Sequence, residues 1–497
     1  MLALSFPKFG HPACGWIALA PLLVALIDRS AARPETNDPL AGRKNTLVNA
    51  FALGATTGAV YFGGTLYWIT HVMAAYGGLD SWVAVLVNGL LIAYMALFPA
   101  LFAVAMHRII LVSGARGLLV APFVWVATEL GRTYTPPGGF PWSLLGYSQV
   151  TVLPVAQLAS VLGVYGVSAL VATVSATAVF AVATTSKRER VAALASVASI
   201  VLLVATWGSL RVAGGTLTDV GEPLKVGVVQ GNVEQGEKWV AGRAASIFQE
   251  YLRMTRQAIG GGADLVLWPE SATPFFFDED RPAADIVRTL VQQARVSMLL
   301  GSDQREAGAS RKYYNAAFLV QADGTTGGVY RKIHLVPFGE YVPMKRALFF
   351  AAPLVQAVSD FSPGERAVLL PLGEHRISTA ICYEVVYPAL MRQFVRGGSE
   401  LLTTITNDAW FGRTSAPYQH FGQAAMRAIE QGRYLVRSAN TGISGIVDPY
   451  GRVLVQTEIF RPDVFVGSVR LLKASTFYGR TGDVFAYASV LVTVVML

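Results

Sequence analysis

ISTAICYEVVYP, residues 377–388, contains Cys382, one of two cysteines in the 497-residue chain. The small and β-branched residues from Ile377 to Ile381 read as a buried strand, and the polar pair Tyr383 and Glu384 marks its end. A thiol at the rim of a rigid strand beside a carboxylate has the placement of a nucleophile. Taken alone, the stretch reads as a strand whose cysteine is only a small buried hydrophobe. What surrounds it decides.

Working outward, residues 222–475 alternate strands with amphipathic helices. Strands are expected at 224–229, 264–268, 297–300, 314–320, 377–381, 401–405 and 435–438, with a turn at Asp323-Gly324. Helices are expected at 242–259, 282–294, 388–395 and 416–434, and a hairpin at 444–457 turns on Asp448-Pro449-Tyr450-Gly451. This alternation argues for α/β layers. Polar residues gather beyond strand ends, where open α/β sheets place their sites. Glu270 follows DLVLWP, Lys332 lies in YRKIHLVPFGEYVP with Glu340 eight residues on, and Asn407 and Asp408 follow LLTTIT. Each taken singly reads as a cap, a solvated charge or a structural pair. With Cys382 they form a kit: a thiol, a carboxylate to deprotonate it, and an ammonium to favour the thiolate and steady an oxyanion.

The other half is of a different character. Only 14% of the chain is charged and 53% is hydrophobic, against about 25% charged in soluble domains. Apolar runs at 12–27, 47–69, 82–107, 117–130, 152–183 and 191–210 build a membrane bundle over residues 1–211. Its loops alternate in charge. Arg29, Arg33, Arg43, Lys44, Arg108, Arg116, Lys187, Arg188 and Arg190 fall on one side, and Arg132 alone on the other. The excess of Lys and Arg marks the first side as cytoplasmic, which leaves residues 222–475 outside the cytoplasm. The charge of +8 is therefore assigned to membrane orientation and not to nucleic acid. Met1 to Gly10 reads as the tail of a helix, residues 483–497 as a short returning segment, and no cleavable signal peptide is expected. Six scattered histidines without metal-ligand spacing and two cysteines far apart in the chain give neither a metal nor a disulfide signal. The outer loop GGFPWSLLGYSQ, residues 138–149, holds Trp142 and reads either as an interfacial aromatic belt or as the floor of a lipid-facing site.

The motifs WPES, YRKIHLVPFGEY and ICYE resemble, in chain order, the Glu-Lys-Cys triad of the nitrilase (carbon–nitrogen hydrolase) superfamily. The resemblance implies an αββα sandwich with Glu270, Lys332 and Cys382 as catalytic residues. It is closer still to the apolipoprotein N-acyltransferase family. The bundle, GFPWSLLGYSQ, VVQGNVEQGEKW, HLVPFGEYVP, CYE, TNDAWFG and TFYGRTGD all carry it. That family implies acyl transfer in two steps. A phospholipid, phosphatidylethanolamine being the expected donor, acylates Cys382. The α-amine of the diacylglyceryl-cysteine of an apolipoprotein then takes the chain. By the family pattern Glu340 holds Lys332, Tyr383 and Glu384 support the nucleophile, and Trp239, Trp410, Phe411 and Trp142 contact substrate. No cofactor is implied. The expected setting is the bacterial inner membrane, with a periplasmic catalytic domain on a monomer. Relative to the family's eight helices, both ends of the chain are abbreviated. A tethered amidase that uses water would fit the triad but not the bundle, and a dead scaffold would not keep all three residues. Because one site must admit two lipids in turn, loops 275–280 and 349–361 are expected to move.

Overall fold

In the computed structural model, residues 1–31, 39–135, 138–236, 240–306, 312–341 and 361–497 are described, the side chains of 28–31, 39–45 and 241 excepted. The chain divides into two compact units. One comprises residues 1–71, 80–214 and 481–497, and the other comprises Val72–Leu79 and Gly215–Arg480.

The first unit is helical. Three stretches among the described residues are long and apolar enough to cross a membrane: Ser81–Tyr134, Ala159–Ala183 and Lys187–Asp219. The expected runs at 82–107 and 117–130 are two helices, Ser81–Ser113 and Ala121–Tyr134, joined by a 3₁₀ segment at Gly114–Val120 and folded back on one another: the helix ends at Gly114, at φ 60°, and the rings of Phe102 and Trp125 meet at 5.2 Å. Helix Pro39–Leu66 crosses Ser81–Ser113 through small residues. A methyl group added at Gly54 would lie 2.4 Å from the Pro99 carbonyl, and one at Gly58 would lie 2.6 Å from Ala96 Cα. In lipid, where apolar burial gives no advantage, such close backbone approach is what holds helices together. Met1 to Gly10 forms a single 3₁₀ turn, Ala3–Ser5, where the tail of a helix was expected, and the last helix is Val484–Met496. Arg116 pairs with Glu189 at 2.5 Å, so the basic loops around 108–116 and 184–190 share one end of this unit.

Among its described residues, the second unit contains twelve strands. They are β1 Glu222–Gln230, β2 Leu265–Leu267, β3 Ser297–Arg305, β4 Tyr313–Val320, β5 Thr326–Arg331, β6 Leu370–Leu372, β7 His375–Ile381, β8 Leu401–Thr406, β9 Leu435–Ala439, β10 Gly445–Val447, β11 Val453–Gln456 and β12 Asp463–Leu471. They form two six-stranded sheets, ordered β12-β1-β2-β3-β4-β5 and β11-β10-β9-β8-β7-β6. The strands at the centre of each sheet, β1-β2-β3 and β7-β8-β9, are parallel. The inner faces meet where Ser438 Oγ on β9 donates to the Val229 carbonyl on β1 at 2.9 Å. Helices Ala241–Gly260 and Arg281–Ala294 cover the first sheet, packing Phe248, Leu252, Val287 and Val291 onto Val266, Met298 and Phe318. This is the expected αββα sandwich.

All the expected strands are present. β5, β6 and β12 were not foreseen, and the helix expected over 416–434 stops at Gln431. Gly432, in the left-handed region at φ 61°, caps it there.

Candidate active site

Each of the three residues expected to do chemistry sits just beyond the end of its strand. Glu270 lies three residues after β2, Lys332 directly follows β5, and Cys382 directly follows β7. All three are buried, at 6%, 1% and 7% exposure.

The Glu270 carboxylate is fixed at both oxygens. Oε1 accepts from Asn315 Nδ2 at 2.6 Å, and Oε2 accepts from the Asn407 backbone N–H at 2.8 Å. Its backbone rests against Gly301 of β3, where an added methyl would stand 2.7 Å from Glu270 Cα. Lys332 Nζ lies 2.8 Å from Glu340 Oε1 and 3.4 Å from Glu270 Oε1. Glu340 is itself held by the Val336 N–H at 2.8 Å. Burial alone would lower the Lys332 pKa, but the charges of Glu340 and Glu270 reverse the balance and hold it above the ordinary lysine range. Lys332 is therefore an ammonium.

Cys382 opens a 3₁₀ turn, Cys382–Val386, with its own φ at +52°. A non-glycine residue in this region carries strain of about 1–2 kcal/mol. Burial pushes the thiol pKa well up, Glu270 adds to the rise, and Lys332 opposes it. The resting group is thus a neutral thiol beside an anion and a cation, and it needs a base within the site to become a nucleophile.

Glu384 shapes the turn. One oxygen accepts from the Ile381 N–H at 2.8 Å, and the other from the N–H groups of Ile333 and His334 and the hydroxyl of Tyr330, at 2.6, 3.1 and 2.7 Å. One carboxylate thereby ties the nucleophile's strand to the segment that carries Lys332. Burial raises its pKa to about 7, opposed by the hydrogen bonds from Ile381, Tyr330 and Ile333 and by the charge of Lys332. Tyr383 is buried, with its ring edge-on to Tyr387 at 5.3 Å, and Tyr387 stacks on His334 at 4.3 Å.

Of the expected substrate contacts, Trp410 and Phe411 belong to the sandwich unit and Trp142 to the helical one. Trp410 and Phe411 are half-buried in the turn after β8, and Trp410 meets Tyr76 edge-on at 5.0 Å. Trp142 belongs to the helical unit. Its ring is enclosed by Trp68 and Phe140, and its carbonyl accepts from Arg132 at 2.6 Å. Trp239 and most of the loop 349–361 lie outside the described residues. The other loop expected to move, 275–280, is fastened: Thr273 Oγ1 donates to the Phe275 carbonyl at 2.7 Å, and the Phe277 N–H donates to Ser302 Oγ at 3.2 Å. Sequence reasoning missed Asn315 and Gly301. An asparagine inside the apolar strand YYNAAFLV was the available signal for the first. Among the described residues no group of three or more His, Cys, Asp or Glu is arranged to hold a metal.

Residues 225–475 match the family model for carbon–nitrogen hydrolases, and residues 1–177 match that for the apolipoprotein N-acyltransferase N-terminal domain. The chain is 40% identical over 499 residues to the apolipoprotein N-acyltransferase of Geobacter metallireducens, covering 99% of this chain and 91% of that one. It is 34% identical to the enzyme of the same name from Methylococcus capsulatus, covering 97% and 91% of the two chains. The chain belongs to the apolipoprotein N-acyltransferase family. A solved mutant amidase of the nitrilase superfamily from Nesterenkonia AN1 is similar in structure over 54% of this chain and 97% of that one, with 18% identity and a TM-score of 0.41. For an apolipoprotein N-acyltransferase the buried group contains what acyl transfer requires. It holds a thiol, a carboxylate fixed at both oxygens and an ammonium, the kinds of group on which acyl transfer through a thioester draws.

Proposed function

We propose that the chain carries an acyl group as a thioester on Cys382 and delivers it to a lipoprotein amine. As a member of its family it is an acyltransferase acting in the last step of lipoprotein maturation. In the first half-reaction Glu270 takes the Cys382 proton and the thiolate attacks an ester carbonyl of a phospholipid. Lys332 stabilises the oxyanion. The glycerol oxygen leaves with the proton from Glu270, giving a lysophospholipid. In the second, the α-amine of the diacylglyceryl-cysteine attacks the thioester, Glu270 takes a proton from that amine, and the Cys382 sulfur leaves and is reprotonated. Glu340 keeps Lys332 in place, and Glu384 and Tyr383 hold the nucleophile's turn. Phosphatidylethanolamine is the proposed donor, and Trp239, Trp410, Phe411 and Trp142 are the proposed lipid contacts.

The observation that carries this reading is the convergence of Glu270, Lys332 and Cys382 into one buried, charge-coupled group. The proposed division is a membrane bundle over 1–211, a catalytic domain over 222–475 and a returning segment over 483–497, in a monomer of the inner membrane. The basic loops joined by Arg116 and Glu189 support a cytoplasmic end for the bundle and a periplasmic catalytic domain. A reporter fused near Glu222 should be active only outside the cytoplasm, and activity only inside would reverse this topology.

The deciding experiment gives the detergent-purified full chain first a phospholipid and then a diacylated lipopeptide. Intact-mass analysis should find one acyl chain on Cys382, followed by an N-acylated peptide. Free fatty acid without N-acyl peptide would make the protein a hydrolase. Acyl-enzyme in Cys382→Ala, or at wild-type level in Glu270→Ala or Lys332→Ala, would remove those residues from their roles.

A further inference from the structure

Against the backbone of Cys382 lies a second charged group that the proposed acyl transfer does not use. Asp408 follows β8, His420 sits on helix Ala416–Gln431, and Arg437 lies on β9, all with side chains fully buried. Arg437 Nη2 is 2.9 Å from Asp408 Oδ2 and 2.9 Å from His420 Nδ1. Asp408 Oδ1 is 3.1 Å from the same His420 nitrogen and accepts from Thr406 Oγ1 at 2.8 Å. The other ring nitrogen, His420 Nε2, lies 3.1 Å from the backbone carbonyl of Cys382.

A cysteine and a buried histidine this close suggest a nucleophile–base dyad, but the geometry excludes it. A carbonyl oxygen only accepts, so Nε2 carries a hydrogen and gives it to the backbone, whichever state Nδ1 is in. Nδ1 faces Asp408 and Arg437. Neither ring nitrogen is left for the thiol. Burial and the Arg437 guanidinium also push His420 below the ordinary imidazole range, so a neutral ring tethers the peptide that follows the nucleophile.

That peptide needs a tether. Cys382 sits at φ +52°, where an L-residue with a side chain stays only when its surroundings impose it. In a planar trans peptide the N–H points opposite to the C=O. Holding the Cys382 carbonyl on His420 therefore fixes the direction of the Tyr383 N–H and the pitch of the turn that aims Sγ. The close approach is enforced from the far side as well: a methyl on Gly442 would stand 2.1 Å from Asp408 Oδ2.

We infer that His420, oriented by Asp408 and Arg437, is a positioning residue that holds the nucleophile's backbone in its reactive, left-handed form. The inference rests on Cys382 being the acylated residue, and the test separates the two. Acyl-enzyme formation is followed by rapid-quench mass analysis on the full chain in detergent, over a range of phospholipid concentrations. If the wild-type protein forms no adduct on Cys382, both readings fall. If it does, His420→Phe, which fills the space without a donor, should lower the limiting acylation rate on the order of 10²-fold. The phospholipid concentration at half-maximum should stay within about twofold of wild type. His420→Gln, whose amide can donate to the same carbonyl, should recover most of the rate. A folded His420→Phe protein acylated at the wild-type rate, or one altered only in half-maximal concentration, overturns the inference. Should His420→Phe fail to fold, Asp408→Asn decides. It loses the charge that orients Arg437 and His420, and it should lower the limiting rate about tenfold or more. A wild-type rate in that variant overturns the inference equally.

Discussion

Asn315 holds Lys332 by two routes. Its carbonyl accepts the Lys332 backbone N–H at 2.9 Å, while its side-chain amide donates to both carboxylates that flank the ammonium, Glu270 at 2.6 Å and Glu340 at 3.1 Å. One residue of β4 thus sets the spacing between base and cation.

The amide's role is separable from its bulk. Asn315→Leu should lower acyl-enzyme formation by about 10²-fold, the range associated with a misaligned general base. Asn315→Asp should be worse, because a third buried carboxylate against Glu270 forces one of them to take a proton. Initial rates of lysophospholipid release compare the two. An aspartate variant more active than the leucine variant would show that the amide does not align the acids.

Gly301 carries no chemistry, yet it sets where the base stands. An added methyl would meet the Pro269 carbonyl at 2.4 Å and the Ser271 N–H nitrogen at 2.7 Å, both backbone atoms with little room to move. Gly301→Ala should cost about 1–3 kcal/mol of stability and, by displacing Glu270, about 10²-fold in acylation. Thermal melting and single-turnover rates measure the two effects, and an unchanged rate would place the base's precision elsewhere.

Glu340 is the nearer of the two carboxylates that keep Lys332 charged. Burial works against the ammonium and the Glu340 charge does most to oppose it, so Glu340→Gln should bring the Lys332 pKa down. A lysine whose folded pKa falls loses its proton earlier as pH rises. The alkaline limb of the acylation rate should therefore move to lower pH in this variant, with the acid limb unmoved. A pH–rate profile identical in shape to wild type would refute the assignment.

Far from the site, His375 bridges Glu400 at 2.8 Å and Glu222 at 3.0 Å, clipping β7 to the start of β1. The hydrogen bond to Glu400, aided by Glu222, raises its pKa above the ordinary 6.5. A raised pKa means the clip's contribution is full below that ordinary value and is lost as pH climbs through the folded one. The melting temperature of wild type should exceed that of His375→Gln by a few degrees at about pH 5.5, with the gap closing by about pH 9. A gap that is constant with pH would mean that the charge is not involved.

The order of strands and helices was legible because the sandwich is built from short apolar runs ending at polar residues, and Glu270, Lys332, Glu340 and Cys382 are those polar residues. The strands that escaped notice have physical reasons for it. β5, TGGVYR, starts with paired glycines, and β6, LPL, is an edge strand with Pro371 at its centre. β12 is interrupted by Gly467 and takes its strand form from pairing with β1, over 230 residues earlier. The roles of Asn315 and His420 escaped the sequence for a different reason, although the polarity of Asn315 within an apolar strand was there to be noticed. Each acts through a partner that the fold alone brings near, and no spacing along the chain encodes that.

The two sheets divide the reacting groups between them. Glu270 and Lys332 follow strands of the first sheet, whereas Cys382 and the Asn407 N–H that steadies Glu270 follow strands of the second. Neither half has both a base and a thiol, and Glu384 can join them only once strands some fifty residues apart have met. With the roles proposed for Glu270 and Cys382, a chain whose two sheets have not met cannot form the acyl-enzyme. On that proposal, assembly of the fold would act as a safety catch, sparing the membrane from a half-built enzyme.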